Sequence, residues 1–435
     1  MTSMFIVALK RLRALPIVIV RLRHQIGLYF DLIVGIIASF LAFWFYYRFF
    51  VVQKPKVISG NEILVKFLSE HVKLTEEKHY PPWIWDGRLQ TYFSTTYRDI
   101  DTTAVRYRRK LFTFSDGGQT ALDMANLPGI IGPTEQPLIV VIIPGIYGDS
   151  KSNSMITLVE CIVGSGAKAY VINYRGMAGL YFRNPKLNVP NDYSDFAEVV
   201  KYLKEQHPND RMVLIAHQNM AGTMACEYFR AYPEEAKQAF LCAIFISVEW
   251  DTVAAYKYVT SSGWLADYFV HRTTLDTIKN ICYRFHKQTN RKGWKPGVRY
   301  HHAMRTESTA EFMKFMTAPQ GGYPTVEAYL ESVTQIGRIQ QIPVPVFSIH
   351  ANDDPTHPGK FLPFTEAQCV NSKLCLIVYP SGGNMGFLDS FNKKPDHILE
   401  RLIRQMIVAI RHNGESLAYA GSASLAQVPK KPSKD

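Results

Sequence analysis

The sequence predicts a doubly wound, mostly parallel α/β sheet that carries a helical insertion and follows an N-terminal membrane helix. Three observations lead there: one long apolar stretch near the N-terminus, several short β-branched runs separated by helical spacing, and a region between the fourth and fifth runs where strand signals vanish. The 435 residues, 47% hydrophobic and 20% charged, are globular in composition and sufficient for a sizeable core.

The apolar stretch runs from Gly27 to Tyr47. It is long enough to cross a hydrocarbon core of about 30 Å as a helix. Asp31 interrupts it one turn from its start, and Trp44, Tyr46 and Tyr47 supply an aromatic belt at its far end. Lys10, Arg11, Arg13, Arg21 and Arg23 precede it, against Arg48, Lys54 and Lys56 after it. That asymmetry predicts a single-pass, type II signal-anchor with a luminal or extracellular main domain; a hairpin formed with Leu15 to Val20 is the alternative. The length and late start of the run, without a small-residue cleavage site, argue against a removable leader.

The chain therefore divides into a basic segment, 1–26, an anchor, 27–47, a connector and N-terminal extension, 48–104, a main domain, 105–415, and a tail, 416–435, whose composition predicts disorder. The net charge of +12 is spread along the chain rather than gathered into a phosphate-tracking tract. A bilayer is thus the expected partner, and nucleic acid is not. The six cysteines have no CxxC spacing, which predicts buried thiols and neither a metal site nor a disulfide framework; no cofactor is expected.

Within the main domain, residues 106–122 read as an edge hairpin turning at Ser115-Asp116-Gly117-Gly118. The runs 137–143, 169–173, 211–216 and 241–248 are short, apolar and rich in β-branched residues, as strands buried on both faces require. Helices are expected at 155–165 and 192–205 and from about 223 onward, giving the alternation of a doubly wound sheet. Residues 249–341 would form a helical lid. Strands resume at 343–350 and 374–379, and the amphipathic 397–410 closes one face.

A sharp turn from strand to helix is where this architecture exposes a nucleophile, usually in G-x-S-x-G. Here the strand ends in His217-Gln218-Asn219-Met220-Ala221-Gly222, which places Asn219 at the centre. An amide has no nucleophilic form near neutral pH. After the last strand, the glycine-rich turn Ser381-Gly382-Gly383-Asn384 puts a second amide where a general base belongs. The acid position remains, at Asp353 or Asp354. Backbone N–H groups at Ile146 and Met220 are candidates for an oxyanion hole, and His217 is the candidate substitute base.

The ordered set WIWDGRLQT (83–91), LFTFSDGGQTALDM (111–124), IIPGIYGDS (142–150), NYRG (173–176), ANDDP (351–355) and GGNMGF (382–387) resembles the alpha/beta-hydrolase domain-containing family of membrane-anchored lipid hydrolases. The nearest branch by this resemblance is the monoacylglycerol lipase linked to sperm activation. The resemblance implies acylglycerol or phospholipid-ester hydrolysis by a Ser-Asp-His triad. It assigns the serine position to Asn219, the aspartate to Asp354 and the histidine to Asn384; His217 and Ala221 replace elbow glycines and put the tight turn in doubt.

The expected function is accordingly that of a catalytically inactive homologue that binds a lipid-like ligand, such as an acylglycerol, or regulates a membrane protein partner. Two alternatives stand beside it. One is an active ester or monoacylglycerol hydrolase with a non-standard nucleophile, and the other a pure protein scaffold.

Overall fold

The computed structural model describes residues 20, 24, 27–82, 84–96, 100–126, 138–145, 148–261, 265–370, 372–390 and 396–421. They fall into two units, residues 1–53 and 54–435. In the first, helix α1 (Leu28–Tyr46) continues into a wider turn, Tyr47–Val51. The continuous helix Tyr29–Val51 has a mean hydropathy of 1.8 and is long and apolar enough to cross a membrane. At 1.5 Å rise per residue it spans roughly 34 Å.

The second unit is built on nine strands: β1 (Lys56–Ile58), β2 (Arg108–Thr113), β3 (Gln119–Ala125), β4 (Leu138–Ile143), β5 (Lys168–Ile172), β6 (Arg211–Asn219), β7 (Phe240–Val248), β8 (Val346–Ala351) and β9 (Leu374–Tyr379). They form one sheet in the order β1-β9-β8-β7-β6-β4-β5-β3-β2. The six strands from β9 to β5 are parallel. Antiparallel strands close both edges: the hairpin β2–β3 on one side and β1 on the other. The hairpin turns at Gly117, whose φ of 78° suits a residue without Cβ.

β4 shows why the parallel strands read as unbroken apolar runs. Leu138, Val140 and Ile142 enter one core, and Ile139, Val141 and Ile143 enter the other, so no position faces water. The first core is covered by α2 (Glu62–His71), α4 (Asn153–Gly164) and α10 (Ile398–Asn413), and the second by α5 (Ser194–Gln206) and α6 (Met220–Ala231). Two smaller apolar clusters lie among the helices between β7 and β8, chiefly α7 (Thr252–Ser261), α8 (Leu265–Gln288) and α9 (Val326–Val333). One more helix, Gly87–Thr96, is labelled α3 and lies close to the β9–α10 turn.

Three boundaries differ from the sequence reading. The connector 48–104 is not only a connector, because β1 pairs with β9 and α2 buries Ile63, Leu64, Phe67 and Leu68. The short β1 run carries too few residues to show a strand period. The fold also passes 415: Gly414–Gly421 is a helical turn with Leu417 buried, while 422–435 lie outside the described residues, as does nearly all of 1–26. Finally, β6 runs through Asn219 and α6 starts at Met220, three residues earlier than expected, so no loop separates them.

That direct junction draws α6 close to the sheet. A Cβ on Gly222 would lie 2.7 Å from Val248 Cβ on β7. Exchange of glycine for alanine in a helix normally stabilises by roughly 0.5–1 kcal/mol. Gly222→Ala should instead destabilise the domain by about 1–3 kcal/mol through overpacking, read as a lowered denaturant midpoint.

Candidate functional site

β4 has β6 on one side and β5 on the other, so the strand order reverses there and opens a crevice at the carboxyl ends of the strands. β6 delivers Asn219 to this crevice, the turn after β8 delivers Asp353 and Asp354, and the turn after β9 delivers Asn384. The elbow is present. Gln218 has φ 70°, and Asn219 has φ 36° and ψ −110°, positive values that strain residues other than glycine. The doubt raised by His217 and Ala221 is therefore resolved in favour of a tight turn: both side chains are buried, Ala221 in the second core and His217 beside a cavity, and leave the backbone its path.

The three positions are joined by hydrogen bonds. Asn384 Nδ2 donates to Asp354 Oδ2 at 2.9 Å and to Thr356 Oγ1 at 3.0 Å. It stands 3.5 Å from Asn219 Oδ1, the limit of a hydrogen bond. Asn384 Oδ1 accepts from Gln218 Nε2 at 3.1 Å, and its backbone N–H donates to Thr91 Oγ1 on α3 at 2.8 Å. Asp354 Oδ1 further accepts from Thr356 Oγ1 and from the backbone N–H groups of Thr356 and His357. Burial pushes the Asp354 carboxyl above its ordinary range against these donors. Asp353 has another task. It accepts from the N–H groups of Gly382 and Gly383 at 2.9 and 3.0 Å, pinning the turn that carries Asn384, and burial pushes its carboxyl up to about 7.

The candidate substitute base is separated from any reacting group. His217 is buried, burial pulls its imidazole down to about 4, and its Nε2 has no hydrogen-bond partner among the described residues. It lines a cavity of about 280 Å³ with Ser154 and Cys161 but bonds to neither. His350 accepts from Trp250 Nε1 and contacts Ser348 Oγ at 2.7 Å, but all three side chains are buried in the sheet. Burial raises the Cys226 thiol to about 12. Ile146 lies outside the described residues. Met220 is the first residue of α6, where backbone N–H groups lack intrahelical acceptors.

A second cavity, of about 190 Å³, lies beneath the helices between β7 and β8 and reaches Asn219. Leu275, Ile278, Phe312, Met316 and Leu330 give it an apolar wall. Glu249, the first residue after β7, is also in the lining; burial, reinforced by the charge of Asp354, pushes its carboxyl up to about 7. Sequence reasoning missed Gln218, Glu249, Thr356 and Thr91. Gln218 adjoins the elbow, Thr356 follows Asp354 at turn spacing and Glu249 ends a strand, so each carried some signal. Thr91 lies 293 residues from Asn384 and carried none.

A profile of the alpha/beta hydrolase fold matches residues 139–390. The chain belongs to that family. Phospholipase ABHD3 of Homo sapiens is 26% identical over 409 residues, covering 91% of this chain and 96% of that protein. Monoacylglycerol lipase ABHD2 of Homo sapiens is 21% identical over 377 residues, covering 82% and 85%. Protein abhd-3.2 of Caenorhabditis elegans is 23% identical over 377 residues, covering 85% and 96%. These likenesses do not favour the monoacylglycerol lipase branch over the phospholipase one, so the expected nearness to the former is withdrawn. The relationship to the wider group of lipases and phospholipases stands.

The Asn384–Asp354 contact makes a pH-dependent prediction. In Asn384→Asp two buried carboxyls would face each other, so the pair would titrate above the unfolded value of about 4 and the folded state would bind more protons. Its stability relative to the parent should fall as pH rises from about 4 through that raised value, by several kcal/mol once both ionise. Thermal unfolding at acidic and mildly alkaline pH measures the difference.

Proposed function

We propose that this member of the family does not hydrolyse esters and instead holds a single-chain lipid in the cavity beneath its inserted helices. One observation carries the reading: the cavity ends on Asn219, while the position that should supply a base holds an amide fixed between Asp354, Thr356 and Gln218. The Asn384 Nδ2 protons face a carboxylate and a hydroxyl, and its Oδ1 accepts a proton only at extreme acidity. The positions for bond-making and proton transfer thus both hold amides. Binding needs neither. The apolar wall takes a chain, and unpaired N–H groups at the start of α6 remain available to a polar atom.

In this proposal the N-terminal helix crosses the membrane once, as a type II anchor, and keeps the protein where its ligand partitions. Regulation of a membrane protein through the ligand-bound form follows from the same arrangement.

The names of the relatives favour a second reading, ester hydrolysis by a nucleophile other than residue 219. The cavity supplies threonines and Cys282, but no histidine among the described residues lines it, and burial raises the Cys282 thiol to about 12. Covalent labelling separates the readings. The protein should show no labelling by a fluorophosphonate, whereas a label abolished by a single cavity substitution would establish hydrolysis. Asn219→Ser combined with Asn384→His should restore labelling and turnover at least about 100-fold above the parent, because the Asp354 orienter and the elbow are already in place.

A further inference from the structure

Among the described residues, Glu249 is the one acidic residue in the lining of the apolar cavity, and its carboxylate has no hydrogen bond or ion pair with any of them. The contrast with its neighbour is chemical. Asp354 has donors from Thr356, His357 and Asn384, whereas Glu249 is held only through its backbone N–H, which donates to Asn219 O at 3.4 Å. A second polar group nearby is also unsatisfied. The Tyr329 hydroxyl on α9 is fully buried, has no partner, and is close enough to Glu249 for the carboxylate to disfavour its ionisation. Among the described residues, no Lys, Arg or His lines the cavity. A carboxylate at the wall of an apolar chamber with no donor facing it marks the place of a missing donor.

Resting on the lipid-binding reading above, we propose that the cavity is selective for amphiphiles with a single alkyl chain and a protonated amine head, the ammonium donating to the Glu249 carboxylate while the chain lies along α8 and the apolar wall. The N–H donors of an ammonium match the open lone pairs of the carboxylate. Anionic amphiphiles are disfavoured, because a phosphate or fatty-acid carboxylate would meet Glu249 and, behind it, Asp354, with no cation among the described residues to offset them. A neutral alcohol of the same length fits the wall but offers one donor and no charge. Charge-assisted hydrogen bonds exceed neutral ones by enough for roughly tenfold selectivity.

The groups around Glu249 determine how this selectivity varies with pH. Asp354 repels its ionised form, and Tyr329, Tyr256 and Cys282 stay neutral through the physiological range. The carboxyl, pushed up to about 7, is therefore the group that titrates, and amine affinity should rise from about pH 6 to about pH 8, where an alkylamine is still protonated.

The test uses the full chain in phosphatidylcholine nanodiscs, photolabelled by a neutral dodecyl diazirine alcohol, with unlabelled dodecylamine or 1-dodecanol as competitor. The amine should compete roughly tenfold more strongly than the alcohol at about pH 8. Glu249→Gln should lose that preference and keep the alcohol's affinity. Equal competition by amine and alcohol in the parent protein overturns the amine selectivity while leaving lipid binding intact. Failure of the probe to label the cavity overturns both readings. Unchanged amine preference in Glu249→Gln overturns the role of that carboxylate, whatever the cavity binds.

Discussion

A carboxylate can only accept hydrogen bonds, and in this protein that restriction orders the whole crevice. Asp354 is buried and its ionised form needs donors, so the amide opposite it must turn Nδ2 inward. With Nδ2 fixed, Asn384 Oδ1 is left to accept from Gln218, and Gln218 is thereby held beside the elbow. Thr356 closes the ring by accepting from Asn384 and donating to Asp354. Each group is satisfied by its neighbours. The geometry of a relay survives with amides in the two places where protons would have to move.

The elbow shows how the backbone can outlast its usual sequence. Positive φ at Gln218 and Asn219 is costly for residues with a Cβ. It is kept because β6 is locked between β4 and β7, α6 begins at once, and Gly222 lets α6 settle against Val248. Ala221 is buried in a core and His217 beside a cavity, rather than in the turn itself. Strain at one junction is tolerated when packing on both faces over-determines the path.

The apolar cavity follows from the helices inserted between β7 and β8, whose clusters are separate from the two cores of the sheet. Such an insertion has freedom to vary without disturbing the parallel strands. Its wall gives the crevice a chain-shaped neighbour, and the end of β7 places Glu249 at their meeting point. An acid there is expensive unless a ligand completes its hydrogen bonds, so retaining it makes the chamber selective.

Most of the fold was legible before any coordinates. The doubly buried strands β4, β5, β7, β8 and β9 declared themselves by β-branched runs, and the hairpin by its glycine turn, because period and composition report local burial directly. The short β1 did not, since three residues carry no period and its pairing with β9 is made across more than 300 residues. At the site, the sequence alone determined the chemistry on offer: amides at 219 and 384, an acid at 354, and an apolar stretch able to enter a bilayer. Only tertiary structure decided which aspartate meets Asn384, that Thr91 and Gln218 brace it, that His217 is withdrawn from the crevice, and that Glu249 faces the cavity unpaired. Residue identity sets what a group can donate or accept, but strand register and helix packing set which partners come within reach.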